Sequence, residues 1–248
     1  MIVLERARER LLCLCKEQHV EPCCRITVRP LSPDEAIGRQ ASYEFPIQRG
    51  KERVIEAVFR EACGQAFTDR PRTWDGTVDD LLHIDLSNTS SSAIFVAGMN
   101  AVLRAMDAAA GTVHCRDEDP GRCGPVIAEK IERDYGSVRI GLIGLQPAIL
   151  AALAWRFSPD RVRVTDLNPD NVGKERSGVP VWDGSTDLAR LVEWCDVGLA
   201  TGSTIVNGSI DEITERFGSA RKPLAFFGNT ISGAAALLGL RRICPFGR

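Results

Sequence analysis

The chain has 248 residues, 44% hydrophobic and 26% charged, with a formal net charge of −2. This is the composition of a globular protein, long enough for one large domain or two small ones. The near-neutral balance gives no bulk attraction to nucleic acid or anionic membrane, and no apolar run reaches bilayer length, so neither is expected as a partner.

In chain order, residues 3–18 place Leu4, Ala7, Leu11 and Leu14 on one face of an amphipathic helix, with His19 at its end. Residues 22–30 alternate as a strand, Ile26 and Val28 inward, until Pro30 stops it. Ser32 to Gly38 reads as a capped helical turn. Residues 51–62 fit both periods, but Ile55, Ala57 and Phe59 alternate and a hairpin partner lies at 22–30, so a strand is expected. Gly64 to Pro71 reads as a loop, Thr77 to Leu82 as a short helix followed by a semi-buried His83, and 91–107 as a helix. The apolar face of that last helix is Ile94, Ala97, Ala101, Val102 and Ala105. Gly111 to Pro125 is polar and rich in turn residues, the expected linker. It divides an α+β domain, 1–110, from an α/β domain, 111–248.

The second part opens with a helix at 126–135. Val138 to Ile143 then makes a buried strand, read as ending in a turn at Gly141 and Gly144. Pro147 opens a helix that runs to Phe157, and Val162 and Val164 make a second strand closed by Asp166. Beyond the polar loop 168–178 come strands at 179–182, 196–201 and 223–228, helices at 188–195, 209–217 and 233–238, and an edge strand at Ile243-Cys244. Strands alternating with helices give a doubly wound parallel sheet with right-handed crossovers.

In such a sheet, ligands bind outside the carboxyl ends of the strands. Gly141, Gly144 and Gln146 lie after the first strand, and Asp166 and Asn168 after the second. Thr201, Gly202, Ser203, Thr204 and Asn207 follow the fourth, and Thr230 the fifth. Turn amides and hydroxyls suit an anion or a ribose, and the acid can accept from a ribose hydroxyl. The glycines are spaced Gly-x-x-Gly, a partial match to the dinucleotide fingerprint. The opposing reading is a set of ordinary tight turns and helix caps.

The nine cysteines are odd in number, and residues 1–10 lack the apolar core of a signal peptide. Thiols in a cytoplasmic protein are expected, most of them small buried hydrophobes. His114, Cys115 and Cys123 form the densest group of soft ligands, in the polar stretch 111–125, with Cys244 a candidate fourth. Thiolate and imidazole suit zinc and other soft or borderline metals, although this spacing is no zinc-finger spacing. The opposing reading is a linker that happens to contain cysteines. The scattered tryptophans and tyrosines give no stacking platform for nucleic acid.

Several stretches together resemble one family across nearly the whole chain: 32–38, 64–69, 100–104, 111–115, 140–148, 166–169 and 201–208. They are similar to the prokaryotic family labelled putative heavy-metal chelation domain, otherwise of unknown function. The resemblance implies an N-terminal domain like that of enolase, a Rossmann-like second domain and a site in the cleft between them. The leading expectation is therefore a soft metal ion, or a metal-bearing small molecule, in that cleft. The alternative is an enzyme using a nucleotide-like ligand, S-adenosylmethionine or an adenine dinucleotide. A third reading is a ligand-binding protein with neither metal nor chemistry; a homo-oligomer stays open in all three.

Overall fold

In a computed structural model, the structure describes residues 2–38 and 52–248. The first helix, α1 (Ile2–Glu17), buries Val3, Leu4, Ala7, Leu11 and Cys15 on one face. The amides of Ile2 and Val3 donate to the Asp211 carboxylate at 2.7 and 2.8 Å, an acid at the positive end of the helix dipole.

An antiparallel sheet follows, built from β1 (Arg25–Pro30), β2 (Arg53–Phe59), β3 (Ala62–Thr68) and β4 (Trp74–Thr77) in the order β3-β2-β1-β4. The strands expected at 22–30 and 51–62 pair with Val28 opposite Ala57; Lys51 lies outside the described residues. The loop expected at 64–71 is instead mostly strand. Gly64, Gln65 and Ala66 have weak strand preference, but β3 pairs along its whole length with β2 and lies under a helix, which overrides propensity. Two short helices, α2 (Pro33–Ile37) and α3 (Val78–Leu82), each begin with a reciprocal capping box, Ser32 with Glu35 and Thr77 with Asp80. His83, expected to be semi-buried, is exposed, its Nδ1 2.8 Å from the Asp79 carbonyl oxygen.

The central element is α4 (Thr89–Ala105). Ser91 to Leu103 are all buried, so the expected single apolar face is corrected to burial all round. The cause is position: α4 packs on β2 and β3 from one side and on helices of the second sheet from the other. Close approach requires Gly64, where a Cβ would stand 2.2 Å from the Ala101 amide nitrogen. A further correction concerns α5 (Asp119–Tyr135), which starts at Asp119 rather than 126 and carries Cys123 on a helix. Gly121, Gly124 and Pro125 disfavour a helix in isolation. Packing holds it: a Cβ on Gly124 would lie 2.3 Å from the Ala148 carbonyl oxygen of the next helix.

The second sheet takes the rest of the chain. Its elements are β5 (Ile140–Ile143), α6 (Pro147–Phe157), β6 (Val162–Asp166), β7 (Glu175–Arg176), β8 (Val179–Asp183) and α7 (Leu188–Trp194). They continue with β9 (Val197–Thr201), α8 (Thr204–Asn207), α9 (Ile210–Ser219), β10 (Leu224–Phe227), α10 (Ser232–Leu238) and β11 (Arg242–Ile243). The order is β11-β10-β9-β5-β6-β8-β7, parallel except for the β7–β8 hairpin. Ile140, Leu142, Val197 and Leu199 face a core with α5 and α6. Ile143, Ala200 and Phe226 face the opposite core, which runs through α4 to the antiparallel sheet without a break. The fold is therefore α/β and doubly wound, with helices on both faces. The chain leaves β5 toward β6 and β8, then returns to β9 on the other side, so β5 and β9 flank a topological switch point. Among the described residues, no helix is long and apolar enough to cross a membrane.

Candidate functional site

A cleft of about 1630 Å³ opens at the switch point. One wall is the end of the antiparallel sheet, Glu52 and Phe67 to Asp69, and the other is the carboxyl edge of the parallel sheet. The clasp between the walls is polar and buried. Asn100 of α4 donates through Nδ2 to the carbonyls of Gln65 (3.0 Å) and Thr230 (3.1 Å), and its Oδ1 accepts from the Gly233 amide (2.7 Å). Thr230 Oγ1 accepts from the Phe67 amide at 3.2 Å.

Of the residues expected at the sheet edge, Gly144, Gln146, Asp166, Asn168, Thr201, Gly202, Ser203, Thr204, Asn207 and Thr230 line this cleft. Gly141 is a correction: it sits inside β5 under Leu191 and Cys195, not in the turn. The turn belongs to Gly144, whose φ of +88° suits glycine.

Local hydrogen bonds occupy most of these groups. Gln146 caps α6 by accepting from the Ile149 amide. Asp166 accepts from the amides of Leu145 (2.7 Å) and Asn168 (2.9 Å) and from Asn171 Nδ2 (3.0 Å), so it ties the loop after β5 to the loop after β6. Asn168 accepts from the Asp170 amide and Asn207 from Ser209. The anion cradle expected at Thr201–Thr204 is also corrected. The Gly202 amide donates to the Phe227 carbonyl at 2.8 Å, and a Cβ there would lie 2.9 Å from the Ile231 nitrogen, so the turn faces protein at that point. The Ser203 amide turns back to Thr201 Oγ1, and Thr204 Oγ1 donates to the Thr201 carbonyl.

The soft donors gather at one end of the cleft. Val113 and Arg248 exchange two 2.9 Å backbone hydrogen bonds. Arg242 donates to the carbonyls of Ala110, Gly111 and Gly228. These contacts fold the C-terminal stretch against residues 110–113, and Cys244 lines the cleft together with His114, Cys115 and Cys123. The Cys115 thiol is buried, although it lies in the polar stretch 111–125. Burial first, then the charge of Cys244, pushes it up to about 12. Burial likewise raises Cys123, followed by the charges of Cys244 and Cys115. Cys115 and Cys123 therefore rest protonated. His114 packs edge-on against Phe67 with ring centroids 5.2 Å apart. Burial pushes its imidazole down to about 4, partly offset by the Cys115 backbone, so the ring is neutral. Its buried Nδ1 has no hydrogen-bond partner among the described residues.

Among the described residues, no group of three or more His, Cys, Asp or Glu is arranged to hold one ion. His114, Cys115 and Cys123 therefore share a cavity without forming a closed metal centre. Strand-end position put Thr230 on this edge but singled out neither its neighbour Asn229 nor Glu52 and Asp69. Asn229 has the more visible signal, an amide directly after a strand-ending glycine; the two acids lie on the antiparallel sheet and carry none.

Fold and site together define a class: an α/β protein of two sheets, with a large cleft at a switch point and soft donors at one end. Residues 129–239 match the model of the DUF364 family, described as putative heavy-metal chelation, the family that the sequence resembles. A DUF364 protein of unknown function from Pyrococcus horikoshii aligns over 92% of this chain and 79% of its own, at 18% identity and a TM-score of 0.54. At that identity it speaks for the fold alone. A second DUF364 protein of unknown function, from Desulfitobacterium hafniense DCB-2, aligns over 75% of this chain and 72% of its own, at 12% identity and a TM-score of 0.48. No curated protein matches.

Proposed function

We propose that the chain binds a soft metal carried in a small molecule, in the cleft between a domain of residues 1–110 and one of residues 111–248. The carrying observation is the contrast between the site's donors and its size. Cys115, Cys123, Cys244 and a neutral His114 share one end of a cavity of about 1630 Å³, yet among the described residues no three donors are arranged around one ion. A bare soft ion needs about four donors converging at about 2.0–2.3 Å. A chelate brings most of its own and needs only one or two from the protein. Ligand-sized volume plus one or two soft donors suits the chelate. The family description supports the metal. The nucleotide-like alternative loses its main support, because the Gly202 amide and both oxygens of Asp166 are already engaged. A cytoplasmic, reducing setting belongs to the same reading, since it keeps the thiols free.

Binding through a buried thiol displaces its proton, so affinity should rise with pH. The test is a titration with cadmium–diethylenetriamine under reducing conditions, followed by thiolate-to-cadmium charge-transfer absorption. The band should form with the wild type and vanish in Cys115→Ser/Cys123→Ser/Cys244→Ser. An undiminished band in the triple variant, or none in the wild type, overturns the reading.

A further inference from the structure

We infer that the occupant of the cleft is a cation whose outer surface carries hydrogen-bond donors. This deepens the proposed function and rests on it for the place of binding, though not for the presence of metal. Charge is the first observation. The whole chain is close to neutral, with 33 acidic and 31 basic residues. The cleft is not: eight carboxylates line it, Glu212 paired with Arg216, against Lys174 and Arg176. Glu52 and Asp69 approach from the antiparallel sheet and Asp166 from the parallel one. Among the described residues none of these three is paired with a cation. Asp166 accepts only from neutral donors, so its charge stands. The three carboxylates repel one another across the gap, and burial with the charges of Asp166 and Asp69 pushes Glu52 up to about 6. Such a field concentrates cations and excludes anions.

The second observation is independent of charge. Asn229 and Thr165, each 1% exposed, line the same cleft, and among the described residues Asn229 Oδ1 and Thr165 Oγ1 have no hydrogen-bond partner. Buried polar atoms are almost always satisfied, so such atoms on a cavity wall point to a ligand. Asn229 Oδ1 can only accept, so an occupant that engages it must present a donor. The Asn229 amide nitrogen is already turned toward the Gln65 and Thr112 carbonyls, which fixes the oxygen's role. Amine N–H groups on a cationic chelate, or on a metal-free polyamine, meet both requirements. A phosphate or an anionic chelate meets neither.

The test uses the intact, reduced chain and three probes in equilibrium dialysis: hexaamminecobalt(III), spermine and hexacyanocobaltate(III), an anion that does not oxidise thiols. The cobalt ammine is cationic, exchange-inert and covered in N–H donors, so it reads the cleft's charge and acceptors without needing a thiol. Saturable binding of the cobalt ammine and of spermine is expected, weakening with salt, with no saturable binding of hexacyanocobaltate. Glu52→Gln/Asp69→Asn should weaken the cobalt ammine by about tenfold or more. The exposed Glu215→Gln, away from the cleft, should leave it unchanged. Circular dichroism confirms that the double variant is folded, and both substitutions are near-isosteric. Spermine binding without a cadmium–thiolate band would keep the charge inference and remove the metal. Equal binding of hexacyanocobaltate, or ammine binding untouched by the double variant, overturns the inference.

Discussion

Replacing Asn100 by alanine removes a side chain that ties both walls of the cleft to α4. Asn100 is fully buried, and its amide satisfies the Gln65 and Thr230 carbonyls while its carbonyl holds the Gly233 amide. Truncation takes that partner from all three backbone groups in the core. A stranded donor or acceptor costs about 1–3 kcal/mol, less for a carbonyl that keeps a second partner, as Gln65 does through Asn229. The sum is about 4 kcal/mol, read as a fall of roughly 8–16 °C in Tm for a chain of this size. Urea unfolding followed by circular dichroism measures it. Asn100→Asp sharpens the test, because it leaves no cavity. It keeps an acceptor for Gly233 but sets a carboxylate oxygen against two carbonyls. It should cost as much at neutral pH and recover on acidification, when the protonated acid regains a donor. A loss under about 1 kcal/mol for the alanine variant, or a wild-type Asn100→Asp at pH 7, would refute the clasp.

Acid stability offers a second check. His114 is pushed down from 6.5 to about 4, so the unfolded chain binds its proton more readily and stability rises with pH across that window. Glu52, raised from 4.5 to about 6, acts with the opposite sign. The histidine shift is larger, so the pair together should lose roughly 1–2 kcal/mol on acidification. His114→Gln should abolish that loss relative to wild type; parallel pH profiles would count against a buried neutral imidazole. Gly202→Ala should destabilise by about 1–3 kcal/mol through the clash with Ile231, measured by thermal melts; a neutral result would show that the turn is open. Asp166→Asn should loosen the loops after β5 and β6 and raise their amide exchange, because Leu145 and Asn168 share one carboxylate; unchanged exchange would remove that tie.

Much of the fold is legible in the chain because its signals are local. The Pro147 helix start, the β-branched runs at Ile140 and Val162 and the Ser32 cap all rest on neighbouring residues. What escapes local reading is made by tertiary packing. Gly64 to Thr68 is a strand because β2 and α4 enclose it. Gly121 to Pro125 is helical because α6 lies against Gly124. For the site, strand-end position sufficed to bring most of the named residues to one cleft, since a doubly wound sheet presents those ends together. It could not reveal that Gly202, Asp166 and Gln146 spend their hydrogen bonds locally. Nor could it show Glu52 and Asp69 facing that edge from the antiparallel sheet.

The most direct test is native mass spectrometry of the reduced chain loaded with cadmium–diethylenetriamine. A one-to-one adduct that keeps both cadmium and amine, and is absent from Cys115→Ser/Cys123→Ser/Cys244→Ser, is the predicted result. A wild-type adduct of cadmium stripped of its amine, or no adduct, would contradict binding of a metal-bearing small molecule in this cleft.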